Sequence, residues 1–352
     1  MQFALITDTH FGARSDNQSY DDYFRKFYTE TFFPELERRN IKNIIHLGDI
    51  FDRRKYINFN TLKNCREYFF DELQRRNIQM FLLVGNHDTF FKNTNDVNSP
   101  RLLLDSYPNI TVIDTPREET LRCGPILFMP WICTDNYAHC MDMIKNTKAK
   151  TMFGHLEIAG FIMHRGQQCE GGFDPQTFEK FDRVFSGHFH HRSTKGNITY
   201  LGNPYELTWN DYDDPRGFHI WCSDSNELEF IENPNSMFYR IVYDDKNNPE
   251  PIKNLAQYQD RSVKLIVANK TNFSEFDALV DRLYQVNPLE LKIIEDFSEF
   301  ESEAIDEENL NLEDTMTLLG EYVDSIETDA DKERLKTLLK TLYVEAQDYE
   351  GS

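Results

Sequence analysis

The chain has 352 residues, 39% hydrophobic and 14% aromatic, enough for one large core with smaller appendages and too apolar for a mostly disordered chain. A net charge of −22 argues against a stand-alone nucleic-acid binder, because surfaces that track phosphates are basic. The acidity is uneven: residues 1–250 carry 36 acidic and 28 basic residues, residues 251–352 carry 24 and 10.

The apolar run Phe3–Ile6 predicts a first strand, which leads into Asp8-Thr9-His10. Tyr20, Tyr23, Phe24, Phe27 and Leu36 then mark an amphipathic helix, broken or kinked near Pro34. Ile44–Leu47 predicts a second strand, running into Gly48-Asp49-Ile50-Phe51-Asp52 and the basic cluster Arg53-Arg54-Lys55. Leu62, Cys65, Phe69 and Leu73 form a helical stripe. Met80–Val84 leads into Gly85-Asn86-His87-Asp88, Thr151–Phe153 into Gly154-His155, and Val184–Phe185 into Gly187-His188-Phe189-His190. Strands alternating with helices imply a layered α/β domain over residues 1–235, with polar groups gathered at strand ends.

The character changes near residue 235. Ser262–Ala268 reads as a strand and Phe273–Tyr284 as a helix, so residues 236–294 form a small α+β domain. Glu295–Asp314 holds ten acidic residues and no basic one. Residues 295–311 are therefore an acidic linker, or a patch that binds a partner. In residues 312–348, Leu312, Met316, Leu319, Val323 and Ile326, then Leu335, Leu338, Leu342 and Ala346, mark two amphipathic helices around a cap at Thr328-Asp329-Ala330-Asp331. Their stripes either pack on their own domain or dock on another protein. No apolar run approaches a membrane span, and Met1–Ile6 lacks signal-peptide organisation. The six Cys form no CxxC pair, which fits reduced thiols and a cytoplasmic protein (host cytoplasm if phage-encoded). There is no P-loop, so any ATPase activity must come from another chain.

The five polar segments carry carboxylate, imidazole and amide groups without thiolate, a set suited to borderline-hard divalent ions such as Mn²⁺, Fe²⁺ or Zn²⁺. Asp8, His10, Asp49, Asn86, His155, His188 and His190 are too many ligands for one ion and about right for two sharing a carboxylate. The Gly before each of the last four ligand groups is expected to allow a sharp turn where a Cβ would clash. Singly, each motif has a plain alternative: Asp8 as a turn residue, His10 and His191 as surface histidines, Arg53 to Lys55 as a solvated helix start. Five in order, each after an apolar run, do not fit those alternatives together.

These blocks resemble the calcineurin-like metallophosphoesterase pattern over roughly residues 1–220. The short lead, Gly48–Asp52, Tyr200-Leu201-Gly202-Asn203-Pro204 and Asp214-Pro215-Arg216-Gly217-Phe218 further resemble the SbcD-type nuclease subunit of break-repair complexes, in its tailed-phage form. The resemblance implies a β-sandwich flanked by helices, with a capping domain and a C-terminal helical hairpin. It implies that Asp8, His10 and His190 hold one metal, Asn86, His155 and His188 a second, and Asp49 both. His87 would face the scissile phosphate as acid or transition-state stabiliser, oriented by Asp52. Some nuclease relatives have His where Asp52 stands. Arg53, Arg54 and Lys55 would line a DNA cleft, although phosphatases of the superfamily also carry an Arg there.

The implied activity is a Mn²⁺-dependent DNA nuclease, exonuclease on double strands and endonuclease on single strands. It would work in a heterotetramer, as a homodimer with an SMC-like ABC ATPase of SbcC type that receives residues 312–348. The alternatives are a phosphatase or small-molecule phosphodiesterase with the same metals, for which the tail would have little use, and a structural subunit that no longer cuts, which the full ligand set disfavours.

Overall fold

The structure is a computed structural model that describes residues 1–121, 124–164, 167–248, 252–295 and Lys332. Apart from Glu295 and Lys332, the expected acidic linker and helical pair lie outside the described residues. In chain order the strands are β1 Gln2–Ile6, β2 Asn43–His46, β3 Gln79–Leu83, β4 Ile110–Ile113, β5 Arg117–Leu121, β6 Gly124–Met129 and β7 Thr151–His155. There follow β8 Ile162–His164, β9 Gln167–Gln168, β10 Arg183–Gly187, β11 Ser193–Lys195, β12 Ile198–Tyr200, β13 Gly217–Cys222 and β14 Glu227–Glu232.

Two six-stranded sheets face each other, one ordered β14-β13-β1-β2-β3-β4, the other β11-β12-β10-β7-β6-β5. Within them β1 to β4 are parallel, as are β12, β10, β7 and β6; β13, β14, β11 and β5 run antiparallel to their neighbours. The alternation of a strand divides its side chains between two cores. Phe3 and Leu5 on β1, Ile45 on β2, Phe128 on β6, Phe153 on β7 and Phe185 on β10 fill the space between the sheets. Ala4, Ile6, Ile44, Met80 and Leu82 face the helices outside the first sheet, and Leu127, Met152 and Val184 those outside the second. Both faces being covered, these strands read in the sequence as continuous apolar runs. The architecture is thus a helix-flanked β-sandwich.

The outer layer of the first sheet is strongly aromatic, built from Tyr23, Phe24, Phe27, Tyr28, Phe32 and Phe33 on one helix and Tyr68, Phe69 and Phe70 on another. The first helix is not broken at Pro34. It runs through Gln18–Phe27, a widened turn at Tyr28–Phe32 and Phe33–Arg39. Phe33 N–H reaches back five residues to Tyr28 O, and Pro34, lacking an N–H, sits where none is required.

After residue 235 come β15 Phe238–Asp244, β16 Ser262–Asn269 and β17 Glu290–Ile294, a parallel three-stranded sheet ordered β15-β16-β17. The helix Phe273–Gln285, capped by Asn272, packs on it through Phe276, Leu279 and Leu283 against Val263, Leu265 and Val267. This small sheet is tied to the sandwich. The Glu206 carboxylate accepts from Met237 N–H (2.6 Å) and Phe238 N–H (3.0 Å), and Tyr23 OH donates to Asn235 O. The five described cysteines are free. Among the described residues no helix is long and apolar enough to cross a membrane.

Candidate metal centre

The strands β1, β2 and β3 of one sheet, and β7 and β10 of the other, end at a common edge, and the polar segments meet there. Backbone bonds join the first two loops: Asp8 N–H to Gly48 O (3.0 Å), His10 N–H to Asp49 O (3.1 Å) and Phe11 N–H to Ile50 O (2.9 Å). The two sheets are joined as well. His188 N–H donates to the Asp8 carboxylate (3.1 Å), and His155 Nδ1 lies 2.7 Å from Leu47 O. Asp8, His10, Asp49 and His188 all adopt left-handed backbone, at φ 52, 43, 52 and 90°. Such conformations cost on the order of 1–3 kcal/mol each and persist where the surroundings impose them.

Asp88 is part of that imposition. Its buried carboxylate accepts from Asp49 N–H (2.9 Å) and Gly85 N–H (2.9 Å) through Oδ2, and from Ile50 N–H (3.0 Å) and Phe51 N–H (3.3 Å) through Oδ1. Burial, then the charge of Asp49, push its acid up to about 7 against the pull of those donors. The sequence reading gave Asp88 no role. Its signal was a carboxylate two residues after the candidate ligand Asn86.

The glycines meet the expectation in part, since a Cβ would clash at all four. Gly48 alone of the four has left-handed backbone, φ 105°. At Gly85 a Cβ would lie 2.2 Å from Asp49 Oδ1 and 2.4 Å from Asp49 N, and at Gly187 2.1 Å from Thr7 Oγ1. They permit close approach of neighbouring loops rather than a turn.

Two groups of ligand-type atoms result, Asp8–His10–His190 and Asp49–His155–His188, each with its atoms within 4.8 Å of one another. In the first, His10 Nε2 and His190 Nε2 face each other at 3.1 Å. In the second, His155 Nε2 lies 2.9 Å from Asn86 Oδ1 and 3.3 Å from Asp49 Oδ2, with His188 Nδ1 3.0 Å from the same Asn86 oxygen. Asp49 Oδ2 stands between the groups, 4.0 Å from His10 Nε2.

The donors suit divalent cations. His155 Nδ1 faces a carbonyl, which only accepts, so Nδ1 carries the proton and Nε2 is the ligand-type atom. Burial, then His87 and His190, hold His10 well below the usual imidazole range. Burial and His155 bring His188 down to about 3, keeping both imidazoles neutral as ligands must be. Burial pushes Asp8 up to about 6, partly offset by His155. Burial also works to raise Asp49, but His155 and His87 outweigh it and hold its carboxyl well below the carboxylate range. Burial works to lower His155, yet Asp49 raises it to about 9, so the carboxylates here draw positive charge to themselves.

His87 lies beside the first group, its ring 4.9 Å from that of His10. Its Nδ1 is 2.7 Å from the Asp52 main-chain oxygen, so the contact runs through the backbone and not the carboxylate. The Asp52 carboxylate instead lies 3.6 Å from His10 Nδ1. Against the cost of burial, the charges of Asp49 and Asp52 raise His87. Arg53 is engaged within the chain: it donates to Asp16 (2.6 Å) and covers the Tyr56 ring. Arg54 is half-buried and Lys55 exposed. His191 Nδ1 meets Asp214 Oδ2 at 2.7 Å. The sequence reading missed Trp131, which follows β6 and lies 5.1 Å from the His188 ring and 6.0 Å from that of His155. The cue was available, since β6 is another apolar run ending at this edge.

A helix-flanked sandwich with paired carboxylate and imidazole groups at its strand ends is the architecture of a metal-dependent phosphoesterase. The chain belongs to the calcineurin-like phosphoesterase family, whose profile matches residues 1–192. It is 32% identical over 359 aligned positions to "Exonuclease subunit 1" of Enterobacteria phage T4, covering 98% of this chain and 99% of that one. Among solved structures, a novel archaeal phosphodiesterase (13% identity, TM-score 0.34) and a hypothetical protein from Thermus thermophilus (12%, 0.35) each align over 66% of this chain and all of theirs.

Proposed function

We propose that this phosphoesterase is the DNA-cutting subunit of a recombination and repair nuclease, with two divalent ions held by Asp8, His10 and His190 on one side and Asn86, His155 and His188 on the other, bridged by Asp49. The observation that carries the reading is the meeting of the two ligand groups at Asp49. Such ions, when bound, neutralise phosphate oxygens and make a water nucleophilic at neutral pH.

The chain's own residues do the rest. Asp52 O accepts from His87 Nδ1–H and leaves His87 Nε2 to meet the scissile phosphate; the imidazolium form, favoured by the charges of Asp49 and Asp52, donates from Nε2–H to an oxygen that gains charge. Asp52 adds negative charge near His10 and His87. Arg54 and Lys55 offer phosphate contacts at the rim, and Arg53 buttresses them through Asp16. DNA as substrate and a partner subunit are supported by the name of the phage T4 relative, which is an exonuclease and a subunit. We further assign Mn²⁺ as the metal, residues 236–294 as a capping domain, residues 312–348 as the docking segment for an SMC-like ATPase, and a homodimer within a heterotetramer.

The test uses the full chain with Mn²⁺ and its ATPase on end-labelled duplex and circular single-stranded DNA, with Asp8→Ala and His87→Ala as controls. Release of nucleotides from the duplex, lost in both variants, is the expected outcome. Intact DNA combined with fast phosphomonoester turnover would overturn the reading in favour of a phosphatase. Retention of the ATPase by the full chain, and its loss without residues 310–352, tests the docking segment.

A further inference from the structure

The ligand-bearing loop after β10 is held by a buried guanidinium far along the sequence. Arg216 is 6% exposed. Its Nη2 donates to Asp211 Oδ1 (2.9 Å) and Asp214 Oδ2 (2.8 Å), while its Nη1 donates to Asn203 Oδ1 and to the main-chain oxygen of His190. Asn203 N–H reaches the same His190 oxygen (3.3 Å). Gly202, with φ 72°, lies so close that a Cβ there would come within 2.8 Å of it. Asp214 Oδ2 also meets the His191 ring, and Asp211 Oδ2 is fixed by Leu207 N–H and Thr208 N–H. One edge of the guanidinium is thus anchored on two carboxylates, and the other grips the peptide that carries His190.

We infer that Arg216, with Asn203 and Gly202, is a positioning unit for the metal held by Asp8, His10 and His190. A loop that contains left-handed His188 (φ 90°) has no helix or ladder to fix His190. The fork of Arg216 supplies that fixing at the carbonyl, so the imidazole meets His10 Nε2 in one geometry. Partners bonded to a ligand's side chain are worth about 10–100-fold in metal affinity, and a grip on the ligand's own peptide should act on the same scale. The inference rests on His190 being a ligand, as proposed above.

Mn²⁺ binding to the full-length chain, followed by electron paramagnetic resonance and calorimetry, tests it. Wild type should bind two ions per chain and show the spin coupling of a close pair. Arg216→Ala should weaken one ion about 10–100-fold, leave the other unchanged and lose the coupled signal, as His190→Ala does. Guanidinium chloride at millimolar level should restore part of that affinity in Arg216→Ala but not in His190→Ala. If Arg216→Ala does not fold, Arg216→Lys carries the test, because it keeps the buried charge but not the fork. Two ions at full affinity in the Arg216 variant would overturn the inference, as would parallel weakening of both ions. Two ions at wild-type affinity in His190→Ala would instead remove the ligand assignment beneath it.

Discussion

Gly85→Ala places one methyl group at the tightest point between the two loops that carry Asp49 and Asn86. Its Cβ would lie 2.4 Å from Asp49 N and 2.2 Å from Asp49 Oδ1, where ordinary contact begins at 3.4 Å. The loops must therefore separate by about 1 Å, and rotating a side chain cannot achieve that because one of the atoms is backbone. Both loops are pinned to the same oxygen, Asp88 Oδ2, by Gly85 N–H and Asp49 N–H at 2.9 Å each. Separation breaks one of these bonds and leaves a buried donor unpaired, at a cost of about 1–3 kcal/mol. Overpacking adds a further 1–3 kcal/mol or so, giving a loss of roughly 2–6 kcal/mol. A shift of this size at Asp49, the proposed bridging ligand, should also weaken Mn²⁺ binding about 10–100-fold. Urea unfolding and Mn²⁺ calorimetry measure the two effects, with Gly171→Ala as control, since its Cβ would meet nothing nearer than 3.8 Å. A Gly85→Ala protein within about 0.5 kcal/mol of wild type and unchanged in Mn²⁺ affinity would refute the reasoning.

Further outcomes follow from groups away from the metals and from one beside them. Burial raises Glu206 from 4.5 to about 7, so its contribution to stability is full below pH 4.5 and is lost as pH rises through 7. Glu206→Gln keeps an acceptor for Met237 N–H and Phe238 N–H; its stability relative to wild type should rise by roughly 3 kcal/mol between pH 4.5 and pH 8, and a pH-independent difference in urea unfolding counts against this. Burial, then Arg192, lowers His219 to about 3; its contribution is full above pH 6.5 and lost as pH falls toward 3. His219→Gln should therefore gain about 2 kcal/mol on wild type between pH 7 and pH 5, read by the same unfolding series. Of the three Trp, Trp131 lies against His188, while Trp209 and Trp221 are buried elsewhere. Paramagnetic Mn²⁺ should quench tryptophan fluorescence in wild type and much less in Trp131→Phe; equal quenching in both would place the ions away from this edge.

Much of the frame could be read from local pattern. The runs at Phe3, Ile44, Met80, Thr151 and Val184 are apolar throughout because both faces of a central parallel strand are covered, and the polar groups after them mark the strand ends. The chemistry of those groups already named divalent metals. The helix around Pro34 runs on unbroken because a widened turn removes the need for a proline N–H, which periodicity does not reveal. The small sheet was legible only at Ser262–Ala268 and the helical pattern Phe273–Tyr284 after it, which fall within the observed Ser262–Asn269 and Phe273–Gln285.

Tertiary structure decided what depends on approach between distant segments. It brought the first sheet's Asp49 within reach of the second sheet's His155, and it added β13 and β14 to the first sheet from beyond residue 216. It turned Gly85 and Gly187 from presumed turn residues into clearances for neighbouring loops. It oriented His87 through the Asp52 backbone, set Asp88 among four N–H groups, and closed Arg216 over His190. The sequence specifies which groups lie at the end of each strand, because that follows from where each apolar run stops and from the local turn after it. Which of those groups touch depends on sheet order and on the packing of two layers. Those are properties of the whole core rather than of any segment of the chain.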